Sequence, residues 1–174
     1  MLKKIALFVL ALLVLLLIIA ALLPSEFRVE RSVKINAPAE KVFWQIADLN
    51  NYKEWNPWSE VNSEVKFVMG AKTKGEGAIW HWKGRKVGEG QLTILKIDEN
   101  RHIETKVEFF KPREVVNFGF WTLKQQGDST LIAWAFEGKF SYPFERFMYF
   151  FMDDILGEDF DRGLENLKQR CEAD

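Results

Sequence analysis

The sequence predicts an α+β domain in which one antiparallel sheet of about six or seven strands packs with a long C-terminal helix. One transmembrane helix is expected before this domain. Three observations support the prediction. An uncharged apolar run occupies residues 5–23. Segments with a period of two, typical of strands, follow one another through the middle of the chain. The C-terminal part repeats apolar residues at helical spacing.

The apolar run Ile5–Leu23 predicts a membrane anchor. As a helix it would be about 28 Å long, close to the hydrocarbon thickness of a bilayer. A cleaved signal peptide is the alternative, but its apolar core is usually shorter and its cleavage site needs small residues that are poorly placed here. We therefore assign residues 1–25 to an uncleaved anchor and residues 26–174 to the folded domain. Lys3 and Lys4 favour a cytoplasmic N-terminus and an extracytoplasmic domain, although basic residues just after the run weaken this bias.

The domain is expected to begin with one strand and two short helices. From Phe27 to Ile35 apolar and polar residues alternate, so that one face of the strand is apolar. Pro38 suits the first turn of a helix because its missing N–H is not needed there, and Glu40 complements the helix dipole. Turn-forming residues follow at 48–51.

The middle of the chain predicts strands joined by short turns, which favour antiparallel pairing. Gly88 and Gly90 open one long strand and predict a bulge or a bend. A final helix is expected from Pro143 to about Arg170, with an apolar face directed into the core. The apolar residues of this face are Phe144, Phe147, Met148, Phe151, Ile155, Phe160, Leu164, Leu167 and Cys171.

Three stretches carry a resemblance to a known family. Val29–Phe43 reads Val-Glu-Arg-Ser-Val-Lys-Ile-Asn-Ala-Pro-Ala-Glu-Lys-Val-Phe, and Asp48–Trp58 reads Asp-Leu-Asn-Asn-Tyr-Lys-Glu-Trp-Asn-Pro-Trp. Together with Asp154–Lys168, they closely resemble the START-like ligand-binding superfamily, in particular its bacterial polyketide cyclase/dehydrase branch. The resemblance implies the helix-grip fold, in which a curved sheet wraps around the long C-terminal helix and leaves an apolar cavity between them.

The aromatic residues are candidates for the wall of that cavity. Of 15 Phe, 7 Trp and 3 Tyr, only Phe8 lies in the apolar leader. The candidate ligand-binding residues are Phe43, Trp80, Trp82, Phe109, Phe118, Phe120, Trp121, Trp134, Phe136, Phe147, Phe151 and Ile155. Adjacent members such as Phe120 and Trp121 must point to opposite faces of a strand. Packing in a solid core is the alternative for each, and Trp55 and Trp58 are expected to cap one end of the barrel.

Three functions follow from this reading. The first is a membrane-anchored carrier or sensor that binds a hydrophobic or amphipathic small molecule, lipid-like or polyketide-like. The second is a cyclase or dehydrase, for which the resemblance implies a polar group aimed into the cavity; the candidates are Arg31, His81 and Glu89. The third is an interaction domain with a filled core, which a cavity smaller than about 300 Å³ would favour.

Charge and motifs argue against other classes of function. The net charge is −1 and the basic residues are interleaved with acids, so we expect no nucleic-acid partner. The sequence has no cysteine pair, closely spaced histidines or acidic loop with the spacing of metal ligands, so we expect no metal and no other cofactor. Cys171 is the single cysteine, which rules out an intrachain disulfide.

Overall fold

Alternating apolar and polar residues produce seven strands in the computed structural model, which describes residues 1–59, 65–85 and 87–173. The strands are β1 (Glu26–Ile35), β2 (Lys66–Met69), β3 (Ile79–Gly84), β4 (Gly88–Asp98), β5 (His102–Lys111), β6 (Val115–Gln126) and β7 (Ser129–Lys139). The helices are α1 (Leu2–Leu22), α2 (Ala39–Ala47), α3 (Leu49–Tyr52) and α4 (Met152–Glu172), with 3-10 helices at Pro57–Ser59 and Phe144–Phe150.

The strands form one antiparallel sheet in the order β1-β7-β6-β5-β4-β3-β2. β1 and β7 pair along their length, with Glu26 opposite Lys139 at one end and Ile35 opposite Thr130 at the other. The register between β4 and β5 shifts next to Gly90, which confirms the irregularity predicted from the two glycines. Shifts of this kind increase the local twist, and they help the sheet to curve.

α4 lies against the inner face of the sheet. Its residues Phe160, Leu164, Leu167 and Cys171 are buried, as the spacing predicted. On the sheet side, the ring of Trp134 stacks on Phe160 with ring centroids 4.0 Å apart. A curved antiparallel sheet around a long C-terminal helix is the helix-grip arrangement, so the predicted fold class is confirmed.

The two ends of the curved sheet are built differently. At one end α2 and α3 close the barrel, and the Thr130 hydroxyl donates to the Ala37 carbonyl at 2.7 Å. The Ala39 N–H also donates to the Gln125 side chain there, at 2.7 Å. The other end carries the start of β1 and the end of β7, where α1 and the 3-10 helix Phe144–Phe150 connect. We call this second end the leader end.

The final helix starts later than the sequence predicted. α4 begins at Met152, and Phe144–Phe150 is a 3-10 helix. Three residues per turn do not collect side chains at α-helical spacing on one face, so the predicted core residues of this segment remain at the surface. Phe144, Met148 and Phe151 are exposed, and Phe147 is half-buried. Ile155 is exposed because it lies about 140° around the helix from the buried Phe160.

α1 is one straight apolar element at the start of the chain. It has 21 residues, its most apolar 18-residue window has a mean hydropathy of 3.5, and it is the one helix in the described part of the chain that is long and apolar enough to cross a bilayer. Almost all of its side chains are exposed, but Ala20 is buried where α1 contacts the segment Phe144–Phe150. A helix with no polar face requires an apolar environment for most of its surface.

Candidate functional site

A cavity of about 210 Å³ lies between the sheet and α4. The residues around it are mostly apolar: Tyr52, Asn56, Trp58, Val65, Phe67, Trp80, Trp82, Val87, Leu92, Thr105, Val107, Phe109, Gly119, Trp121, Trp134, Phe136 and Leu156. The volume exceeds the about 150 Å³ that accepts benzene in an apolar protein interior. It falls below the about 300 Å³ at which drug-sized pockets begin. By the criterion stated above, a space of this size favours the filled-core interaction domain over a site for a drug-sized ligand, and it leaves room for one or two rings or the end of a longer chain.

The cavity lies toward the leader end of the barrel. Phe109 is opposite Val115, the first residue of β6, and Trp82 is two residues from the end of β3. Leu156 projects from the start of α4 on the same side. The opposite end is filled by Phe43 and its neighbours on α2, which are buried in the core. One half of the barrel is therefore solid and the other half is hollow.

The alternation of side chains along the strands determines which residues face the cavity. Trp80 and Trp82 share one face of β3 as predicted, and Leu92 is the direct partner of Trp80 on β4. Gly90 is the partner of Trp82, and a Cβ at Gly90 would lie 2.4 Å from the Trp82 ring. Glycine at this position is what allows the Trp82 indole to lie flat across β4.

Few polar groups face this space. The Thr105 hydroxyl donates to the Gly119 carbonyl at 3.2 Å, so both are satisfied. Burial raises the pKa of the Tyr52 hydroxyl, which is therefore neutral and is hydrogen-bonded with the Asn56 side chain. The indole N–H of Trp80 is buried and has no hydrogen-bond partner among the described residues. A ligand with one acceptor atom would supply that missing partner.

Six of the predicted aromatic residues line the cavity: Trp80, Trp82, Phe109, Trp121, Trp134 and Phe136. All six belong to strands. Their role in binding a ligand stays a prediction, because the structure shows their position and not an occupant.

The other predicted wall residues lie elsewhere. Phe43 is buried in the solid half of the barrel. Phe118 and Phe120 lie on the outer face of β6, since Gly119 and Trp121 occupy the inner face and neighbours in a strand alternate. Phe147, Phe151 and Ile155 belong to the segment around the start of α4 that stays at the surface, and none of them lines the cavity.

None of the three catalytic candidates lines the cavity. The Arg31 guanidinium crosses α4 at Gly157 and donates two hydrogen bonds of 2.9 Å to Asp153. His81 lies on the face of β3 opposite to its tryptophan neighbours. Glu89 binds Lys83 at 3.0 Å, and this contact lowers the pKa of the Glu89 carboxyl. In the part of the chain that the structure describes, the lining holds no histidine, carboxylate, lysine or arginine.

Sequence reasoning missed several wall residues, above all the smaller ones. These are Tyr52, Asn56, Val65, Phe67, Val87, Leu92, Thr105, Val107, Gly119 and Leu156. The signal for those in strands was present, because Thr105 and Val107 alternate in step with Phe109. Val107 is opposite Leu92 and Thr105 is opposite Ile94, and this register between β4 and β5 is not specified by a strand pattern alone.

The two tryptophans of the segment after the first helices take different positions. Trp58 lines the cavity, and its indole N–H donates to Asp159 on α4 at 2.9 Å. Trp55 is fully buried in the core, and its N–H donates to the Gln45 carbonyl at 2.9 Å. Trp58 thus connects the cavity wall to the helix.

Comparison with known proteins agrees with this geometry. The family profile described as polyketide cyclase / dehydrase and lipid transport matches residues 26–172. The chain belongs to this family. Among curated proteins the comparison finds no match.

Solved structures share the fold of this polyketide cyclase/dehydrase family member at low sequence identity. Protein CV1439 from Chromobacterium violaceum has a TM-score of 0.61 at 15% identity, covering 87% of this chain and 99% of its own. The KanY protein has a TM-score of 0.63 at 17% identity, covering 86% and 100%. A protein from Thermobifida fusca has a TM-score of 0.61 at 18% identity, covering 82% and 91%. At these identities the likeness shows the fold alone.

Proposed function

We propose that this chain binds a small apolar molecule in the cavity at the leader end while α1 holds it at a membrane, and that it acts as a carrier or sensor of that molecule. The observation that carries the proposal is the hollow half of the barrel, whose wall is formed by Trp80, Trp82, Phe109 and Phe136. Aromatic side chains that border an empty space lack dispersion contacts on that side, and a bound apolar ligand would supply them. The family description, which includes lipid transport, is consistent with such a guest.

Size and polarity define the class of ligand. A space of about 210 Å³ takes one or two rings, or one end of a longer chain whose remainder projects from the cavity. The unpaired N–H of Trp80 favours a ligand with one acceptor, such as a carbonyl or a hydroxyl oxygen. A whole membrane lipid is too large for the space.

The membrane part of the proposal rests on α1. A helix of 21 residues, in which an 18-residue window has a mean hydropathy of 3.5, suits a single bilayer span. Lys3 and Lys4 at its start favour a cytoplasmic N-terminus, which would place the binding domain on the extracytoplasmic side.

The enzymatic alternative has less support. Cyclase or dehydrase chemistry by acid and base needs an ionisable side chain next to the bound chain. Arg31, His81 and Glu89 lie outside the cavity, and burial raises the pKa of the Tyr52 hydroxyl, which makes it a weaker proton donor. We therefore place binding ahead of catalysis.

The first prediction tests the cavity directly. We expect Leu156→Trp to fill it and to abolish binding of naphthalene, because Leu156 borders the space and indole is the larger side chain. Glu158→Trp is the matched control, since Glu158 is exposed on the same helix. Binding is measured by calorimetry on the full chain in lipid nanodiscs, with empty nanodiscs subtracted, using benzene, naphthalene and pyrene as probes.

Probes of increasing size distinguish a specific cavity from nonspecific uptake. We expect affinity to rise from benzene to naphthalene and to fall for pyrene, which exceeds the space. If wild type and Leu156→Trp take up all three probes equally, the cavity is not a binding site, and the filled-core interaction domain becomes the better description.

A further inference from the structure

The segment between β7 and α4 presents an aromatic surface to solvent. Phe144 is 78% exposed and Phe150 is 60% exposed. We call the surface formed by Tyr142, Phe144, Tyr149, Phe150 and Phe151 the aromatic face; Met148 and Ile155 adjoin it. So many large apolar side chains exposed together within one short segment are unusual on a soluble domain and mark a contact surface.

The charged groups of this segment are turned toward the protein. Glu145 pairs with Arg113 and accepts the Ser141 backbone N–H at 2.8 Å. Arg146 donates to the Leu23 carbonyl at 3.0 Å, at the C-terminal end of α1. With both charges bound inside, the segment is amphipathic, and its outward side is aromatic.

The aromatic face lies beside the apolar surface of α1. The Tyr142 hydroxyl donates to the Leu17 carbonyl at 3.1 Å. Leu17 is about 7.5 Å from the end of α1 at the helical rise. Tyr142 therefore lies alongside the apolar part of α1 and not beyond its end. Arg146 reaches past the last turn of α1, where a cation suits both the free carbonyls and lipid headgroups.

We propose that the aromatic face lies in the headgroup region of the bilayer that α1 enters, so that the domain contacts the membrane at two places. Tyrosine and phenylalanine rings with a neighbouring arginine are typical of this depth. The inference rests on the proposed anchoring by α1. It adds an orientation, since the aromatic face and the hollow half of the barrel share the leader end, and the cavity then faces the lipid.

Site-directed spin labelling of the full chain in nanodiscs of phosphatidylcholine and phosphatidylglycerol tests the proposal. Burial raises the pKa of the Cys171 thiol to about 11, and Cys171→Ala removes it as a labelling site. Single labels are placed at Phe150→Cys on the aromatic face, at Leu12→Cys within α1 and at Asp128→Cys in the turn between β6 and β7. Collision with dissolved oxygen and with a water-soluble nickel complex reports the depth of each label.

The proposal expects the label at 150 to lose most of its accessibility to nickel relative to the label at 128, as the label at 12 does. If 12 is protected while 150 is as accessible as 128, α1 is an anchor but the aromatic face does not touch lipid, and the inference fails alone. If 12 is also accessible, both the anchor and the inference fail. Strong spin-spin broadening between labels at 150 would show that a second copy covers the face, which also overturns the inference.

Discussion

Arg31 shows how one side chain connects the first strand to the last helix. It shares the inner face of β1 with apolar residues, and its guanidinium passes over α4 at a glycine. Asp153, Gly157 and Asp161 are spaced by four residues, so they form one row along the helix. The two acids bind Arg31 from either side of the glycine, at 2.9 Å and 3.4 Å. Arg31, a candidate for a polar group aimed into the cavity, therefore forms ion pairs with α4 and does not line the cavity.

The second prediction concerns this contact. Arg31 lowers the pKa of Asp153 through its hydrogen bonds, so the contact stabilises the fold above the ordinary carboxyl pKa of 3.8 and is lost as the pH falls through the lowered value. Arg31→Met keeps the stem and removes the charge, and at pH 7 we expect a small loss in the free energy of unfolding, because solvent screens the exposed Asp153. Thermal unfolding in detergent at pH 7 and pH 3 measures the difference, which should shrink at pH 3.

Lys34→Met is the matched control, because Lys34 lies on the outer face of the same strand and is exposed. It should leave stability almost unchanged at both pH values. An equal loss for Arg31→Met at pH 7 and pH 3 would contradict the ion-pair explanation and would point to packing of the stem.

The third prediction concerns the indole N–H of Trp80, which has no partner among the described residues. Acetophenone and ethylbenzene have nearly the same shape, but only the ketone has an acceptor. We expect Trp80→Phe to weaken acetophenone binding about fivefold more than ethylbenzene binding, the value of one neutral hydrogen bond. Calorimetry in nanodiscs measures both affinities. If the two ligands lose affinity equally, the N–H does not contact the ligand.

At the scale of elements, strands were easier to predict than the segment before the last helix. The period of two survives in β1 and β5 because each strand has one buried face. The stretch from Pro143 to Met152 has apolar residues at helical spacing, yet Phe144–Phe150 within it forms a 3-10 helix at the surface. The spacing of apolar residues shows that a segment has an apolar side. It does not show whether that side packs against the protein core, because this depends on neighbouring elements such as α1.

Some residues of the cavity wall could likewise be predicted from the sequence, and others could not. The tryptophans of β3 could be placed because alternation fixes which residues share a face. Phe118 and Phe120 were assigned to the wrong face, since every residue from Phe118 to Trp121 is aromatic or glycine and no polar partner reveals the alternation. Small wall residues such as Thr105 carry no aromatic signal and depend on strand register, which comes from the assembled sheet.

The fourth prediction concerns the bulge in β4. Gly90→Ala would place a methyl group 2.3 Å from the Glu108 carbonyl and 2.4 Å from the Trp82 ring. We expect a loss of about 1–3 kcal/mol in the free energy of unfolding, because the backbone carbonyl cannot move aside as a flexible side chain can. Urea denaturation in detergent measures it. Thr93→Ala, on the outer face of the same strand, is the control and should cost clearly less.

At the scale of the whole molecule, the features that support the proposed function lie at one end. α2 and α3 make the far end of the barrel solid, whereas α1, the aromatic face and the cavity all lie at the leader end. An overall hollow barrel could be expected from the resemblance. The resemblance does not show that the cavity occupies only one half of the barrel, or that it is small. Both depend on how the side chains of α2 fill the other half.

The short connection between α1 and β1 limits how the molecule can operate. Leu23, Pro24 and Ser25 alone separate the two elements, a reach of about 10 Å, and proline stiffens it further. With α1 in a bilayer, as proposed above, so short a connection would hold the domain at that membrane. In that arrangement, delivery of a bound molecule to a second membrane would require a mobile partner that collects it from the domain.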